Sequence, residues 1–164
     1  LLIGLISDTH DNLQAITEAV KTFNSKRVGL VLHAGDYVAP FTYAAYKGLQ
    51  CKLVGVYGNV DGDRGLLRER FSSLGFKVES DFEELEVDGI RIALLHGVHP
   101  QIIEALALSG KYHVVVHGHT HTKRAERIGN ALVVNPGEAC GYIYGVRSIA
   151  LLDTATLKVE FKEF

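Results

Sequence analysis

Short apolar runs alternate with polar, helix-period segments along the first half of the chain. Residues 1–7 (LLIGLIS), 28–34 (VGLVLHA) and 52–57 (KLVGVY) are mostly aliphatic and are bounded by glycine and polar residues. Runs of this length predict buried strands. Between the first two, Leu13, Ile16, Val20 and Phe23 share one helical face. Asp11 with Gln14 three residues later resembles a capping box at the start of that helix. A second helix is expected around 40–49, carrying Tyr43, Ala44 and Tyr46. A Gly- and Asp-rich loop over 58–63 is followed by a third expected helix, to about Leu74.

The second half is richer in strand patterns. FKVES, FEELEVDG and IRIALLH predict two or three strands with a turn at Asp88-Gly89. Pro100 suits the first turn of a helix containing Ile102, Ile103, Leu106 and Ala107, stopped by Ser109-Gly110. A strand over 113–117 follows. Segments 124–128, 131–134, 147–153 and 157–162 then read as an antiparallel meander. Strand–helix alternation followed by a meander predicts an α/β fold: two packed mixed β-sheets, a sandwich flanked by α-helices. With 164 residues and no repeat or linker, one domain over 1–164 is expected.

Five of the apolar runs end on residues able to hold a metal ion. They are Asp8 with His10, Asp36, Asn59, His96, and His119 with His121. Ligands in open α/β sheets sit outside the carboxyl ends of the strands. The seven residues are therefore expected at one rim of one sheet. In His119-Thr120-His121 the two rings, spaced i and i+2 on an extended segment, point the same way. Oxygen and imidazole donors without thiolate suit Mn, Fe, Zn, Ni or Co rather than Cu(I).

Composition narrows the class without changing this picture. Hydrophobic residues make up 47% and charged residues 22%, and 17 Lys and Arg stand against 19 Asp and Glu. A net charge near −2 gives no electrostatic footprint for nucleic acid or an anionic membrane. The apolar start is too short and too soon interrupted by Asp8 for a signal peptide or span. Cys51 and Cys140 form no CxxC and read as free thiols in a reducing, cytoplasmic setting.

Asp8-Thr9-His10, Gly35-Asp36, Gly58-Asn59-Val60-Asp61, His96-Gly97 and Gly118-His119-Thr120-His121 occur in the order of the calcineurin-like metallophosphoesterase motifs. The chain resembles that superfamily along essentially its whole length, and most of all its small single-domain phosphodiesterases. Asn135-Pro136-Gly137 also looks like a motif of that group. The resemblance implies two divalent ions, manganese being the leading expectation with nickel, iron, zinc or cobalt as alternatives. Asp8, His10 and His121 would hold one ion, Asn59, His96 and His119 the other, and Asp36 would bridge. It further implies hydrolysis of a small phosphodiester by a bridging hydroxide. A homo-oligomer, through the second sheet's edge or the 138–146 loop, is a further expectation.

Many members carry a histidine where this chain has Val60, which can neither give nor take a proton. His99, three residues after His96 and just before Pro100, is the available catalytic substitute. His33 and His117 lie inside apolar runs and read as core residues or as supports behind the ligands, and Asn12 as a helix cap in preference to a substrate contact. Tyr142 and Tyr144 could line a pocket or an interface. Metal-bound imidazoles need an outer partner, for which backbone carbonyls or Asp61 are candidates. Two other functions stay open. One is phosphomonoester hydrolysis. The other is a non-catalytic scaffold like a retromer subunit of the superfamily, which also lacks the family histidine.

Overall fold

The computed structural model describes residues 1–164, which form eleven strands in two sheets. The larger sheet has the order β11-β10-β1-β2-β3-β4, with β1 Leu2–Ile6, β2 Leu30–His33, β3 Lys52–Val56, β4 Lys77–Ser80, β10 Ser148–Asp153 and β11 Val159–Glu163. The smaller has the order β5-β6-β7-β9-β8, with β5 Phe82–Val87, β6 Ile90–Leu95, β7 Val114–Val116, β8 Lys123–Ile128 and β9 Ala131–Pro136. Both are mixed: β1 to β4 run parallel, as do β6, β7 and β9, while β10 pairs antiparallel with β1 and β5 with β6. No helix is long and apolar enough to cross a membrane.

Strand alternation decides which side chains meet. Ile3, Leu5, Leu32 and Val56 from the larger sheet pack against Ile92, Leu94, Val116 and Val134 from the smaller, all fully buried. Burying an aliphatic side chain of this size is worth about 1.5–3 kcal/mol, so this interior holds the two sheets face to face. On the outer face of the larger sheet, Phe23 of α1 (Leu13–Ser25) and Phe71 of α2 (Arg64–Ser72) pack with Tyr37 and Tyr46. Gly4 allows Phe23 to lie flat on β1, because a Cβ there would meet its ring at 2.6 Å. The smaller sheet is covered by Ile103 and Ala107 of α3 (Pro100–Leu108).

The expected sandwich is present, with four corrections. First, the C-terminal strands are no continuous meander. β9 lies in the smaller sheet and β10 in the larger, so the chain changes sheets between Pro136 and Ser148. Second, the seven run-end residues do not share one sheet. Asp8, His10, Asp36 and Asn59 follow β1, β2 and β3, whereas His96, His119 and His121 follow β6 and β7. Stacking the two sheets joins their rims. Third, α1 is capped by Asn12, whose Oδ1 accepts from Ala15 N at 3.1 Å, as expected for Asn12 itself but not for Asp11. Asp11 instead accepts from Ala39 N, and Leu13 is half-exposed. Fourth, the helix expected over 40–49 is a 3-10 helix over Pro40–Tyr46.

Candidate metal centre

The loops that leave the parallel strands are tied to one another before any side chain is considered. Asp8 N donates to Gly35 O and His10 N to Asp36 O, continuing the β1–β2 pairing past its end. Cys140 N donates to Asp8 O, bringing the crossover after β9 beneath the same rim. Asp61 accepts from Asp36 N and Gly58 N through Oδ2 and from Val38 N through Oδ1, at 2.7–3.0 Å. It is thus a backbone clamp between the loops after β2 and β3, and not the outer partner of a histidine.

Five of the seven candidate residues sit in left-handed backbone: Asp8, His10, Asp36, His119 and His121, with φ between 39° and 68°, so His119 and His121 do not lie on the extended segment expected for them. This region costs non-glycine residues of order 1–3 kcal/mol each. It persists here because the loop hydrogen bonds over-determine it. Gly58 and Gly118 serve a different need. A Cβ at Gly58 would run into Asp36 Oδ1, and one at Gly118 would lie 2.7 Å from Asp8 Oδ2. The Gly-Asn and Gly-His pairs of the sequence thus make room for the two carboxylates.

All seven side chains converge. Asp36 Oδ2 lies 3.5 Å from His10 Nε2 and 3.2 Å from His96 Nε2, between the two halves of the cluster. Asp8 Oδ1 is 3.3 Å from His121 Nε2 and 3.9 Å from His10 Nε2. On the other side, Asn59 Oδ1 is 2.9 Å from His96 Nε2 and 3.0 Å from His119 Nδ1. Ligand atoms of Asp8, His10, Asp36 and His121 all lie within 4.8 Å of one another, the spacing one ion needs.

Tautomers show that these atoms fit a cation. His96 Nδ1 is 2.7 Å from Ala34 O and donates to it, so in the neutral ring Nε2 offers a lone pair. That lone pair faces Asp36 Oδ2 and Asn59 Oδ1, themselves acceptors. His121 Nδ1 likewise donates to Glu138 Oε2 at 2.8 Å, leaving Nε2 against Asp8 Oδ1. Asp8 Oδ1 and His10 Nε2 are buried without any hydrogen-bond partner. Acceptors converging on acceptors require a positive charge between them, either a metal ion or extra protons on the rings.

The groups differ in how readily they carry charge. Burial opposes charge on His96, but the bond to Asp36 and its charge lift the ring above its ordinary value. His119 is held below its ordinary value, by burial first and by His96 next. Burial raises the Asp8 carboxyl, whereas for Asp36 the opposing pull of His96, Val60 N and His10 prevails over burial and keeps it low. The central carboxylate is therefore the one held most firmly as an anion.

The remaining histidines separate cleanly. His33 is fully buried, stacks on Tyr37 at 3.8 Å and is pushed down to about 3 by burial. His117, also buried, is pushed down to about 4. Both are core residues, as expected. His99 is exposed at the N-cap of α3 without a side-chain cap bond and lines a cavity beside Asn59 and His96. Tyr142 and Tyr144 are exposed on the 138–146 loop. Glu138 was not singled out by sequence reasoning. Its carboxylate takes His121 Nδ1 together with Ile143 N and Tyr144 N. The one available signal was its place directly after Asn135-Pro136-Gly137.

With this geometry in view, the comparisons are specific. The model of the calcineurin-like phosphoesterase superfamily domain matches residues 1–157. Phosphodiesterase MJ0936 of Methanocaldococcus jannaschii is 39% identical over 162 residues, covering 98% of this chain and 96% of that protein. A structurally characterised archaeal phosphodiesterase superposes with a TM-score of 0.96 at 36% identity over 100% of both chains. Vps29 of Chaetomium thermophilum shares the fold, with a TM-score of 0.74 at 19% identity over 100% of this chain and 97% of that one. The chain belongs to the calcineurin-like phosphoesterase superfamily. It is a metal-dependent phosphoester hydrolase by that membership.

Proposed function

We propose that this protein is a phosphodiesterase with a dinuclear centre. Asp8, His10 and His121 hold one ion, Asn59, His96 and His119 the other, and Asp36 bridges them. One observation carries the reading: Asp36 Oδ2 lies within 3.5 Å of a ring nitrogen from each half of the cluster. An anionic bridge is what two dications need in order to sit about 3.5–4 Å apart. Bound there, the ions supply a hydroxide nucleophile and positive charge at phosphorus. The chain's own task is to keep the donors neutral or anionic and pointed inward. Glu138 and Ala34 O do this by fixing the tautomers of His121 and His96.

Manganese is the proposed metal, with nickel, iron, zinc and cobalt compatible with the same donors. A small phosphodiester is the proposed substrate, in keeping with the relatives named as phosphodiesterases. The test is to strip the protein of metal, reload it with manganese, and compare bis(p-nitrophenyl) phosphate with p-nitrophenyl phosphate. Faster turnover of the diester supports the reading. Faster turnover of the monoester makes the protein a phosphomonoesterase. No bound transition metal and no turnover leave the scaffold role.

His99 is proposed as a hydrogen-bond donor to a phosphate or departing oxygen. Its exposed position at the N-cap of α3, on the wall of the cavity beside Asn59 and His96, supports that role. Equal, small losses for His99→Ala on aryl and alkyl diesters would remove it from the mechanism. Cys51 and Cys140 are both free, in keeping with the proposed cytoplasmic setting, and burial pushes the Cys140 thiol up to about 11.

A further inference from the structure

Beside the half of the cluster formed by Asn59 and His96 opens a cavity of about 400 Å³. That is within the range of small-molecule sites, roughly 300–1,000 Å³. Its walls are not those of a second phosphate site. Arg64 is the one cationic residue in the lining with a permanent charge, and each of its three guanidinium nitrogens already has a protein partner. NH1 pairs with Asp81 Oδ1 at 2.8 Å, Nε donates to Asp61 O at 3.2 Å, and NH2 donates to Gly58 O at 3.4 Å. The group also stacks over Tyr57, 4.9 Å from the ring centroid. Its charge is thus matched by Asp81, and its donors hold the loop that presents Asn59.

The rest of the wall is apolar. Val98 and Ile102 are 41% and 49% exposed, and the buried Leu95 also lines the cavity. Val98 precedes α3 and Ile102 lies in its first turn, whereas the helix packs on the sheet through Ile103 and Ala107. Two half-exposed aliphatic side chains beside a charged centre gain from a ligand that covers them.

We infer that this cavity receives the departing arm of the diester, and that the arm it favours is uncharged and carries a ring. The inference rests on the phosphodiesterase reading above and adds the substrate class. In the reaction a P–O bond forms to water-derived hydroxide and the P–O bond to the departing arm breaks. A nitrophenolate leaves without a proton, whereas an alkoxide takes one. His99 lines the same cavity, and with the arm seated there it would be the side chain available to that oxygen.

The experiment uses the manganese-loaded full chain and two diesters with the same retained methyl arm. Methyl p-nitrophenyl phosphate has a ring in the departing arm, and methyl trifluoroethyl phosphate has none. Nitrophenolate is read by absorbance and trifluoroethanol by fluorine NMR. The double variant Val98→Asn/Ile102→Asn removes the apolar wall at two exposed positions without changing charge. It is expected to lower kcat/KM about tenfold on the ring-bearing ester, mostly through KM, and to leave the ringless one within about twofold. Ile102→Asn alone is expected to give a smaller loss in the same direction. Equal losses on both esters would overturn the inference while leaving the phosphodiesterase reading intact. No turnover of either ester by the parent protein would overturn that reading, and this one with it.

Discussion

The two sheets bring different chemistry to the same rim. The larger sheet contributes every oxygen donor, Asp8, Asp36 and Asn59, with His10 as its one imidazole. The smaller contributes only imidazoles, His96, His119 and His121. Both carboxylates are buried, with Asp8 at 0% and Asp36 at 2% exposure. Buried anions are costly unless matched by opposite charge. The larger sheet therefore carries the negative charge, and the smaller adds only imidazoles to the proposed centre. In that centre neither sheet would enclose an ion alone, so a bound metal would cross-link the sandwich through its rim as the apolar interior does through its centre.

Asp36→Asn breaks this division most directly, because it removes the anion that faces both halves. Bound metal, read by elemental analysis, and kcat/KM are each expected to fall by more than about a hundredfold, the upper end for loss of an outer partner. A variant that kept both ions and full turnover would refute the bridging role. The cross-link itself predicts the next effect. Manganese at about 100 times its Kd should add roughly 2.7 kcal/mol of stability. For a chain of this size that is a rise of about 5–10 °C in Tm by calorimetry. Asp36→Asn should lose most of this rise.

Glu138→Gln sharpens the imidazole side. It keeps the shape but weakens the hold on His121 Nδ1, so manganese affinity by calorimetric titration should drop about 10–100-fold with secondary structure unchanged. The smallest effect concerns His33 in β2. Burial pushes this ring down to about 3 from the usual 6.5. Below pH 6.5 the unfolded chain binds a proton there that the folded chain refuses. Its stabilising contribution is complete above pH 6.5 and is lost progressively as pH falls towards 3. In urea unfolding of metal-free protein at pH 7 and pH 5, His33→Phe should show a shallower loss than the parent.

Much of this was legible in the chain because it is local. The strand patterns lie close to the observed bounds, with the number of strands between 76 and 96 alone left at two or three, and the Asp88-Gly89 turn and the Pro100 helix start are where residue chemistry puts them. The seven candidate donors were legible from their order, and all seven meet. What was hidden is non-local. Nothing in 131–153 tells β9 from β10, both buried and aliphatic, so their assignment to different sheets depends on partners far away in sequence. Glu138 escaped notice because its function depends on that same crossover. Asp61 looked like a candidate for a ring nitrogen but binds three backbone amides, a role that becomes visible only when the loops after β2 and β3 lie side by side.

The passage from β9 to β10 also bears on how such a protein can be enlarged. Residues added between Pro136 and Tyr144 would disturb the hold on His121 through Glu138 and on Asp8 through Cys140. The Gly129-Asn130 reversal, by contrast, joins β8 to β9 at the end remote from the rim and is exposed. Grafts and fusions are therefore expected to be better tolerated at the latter than at the former.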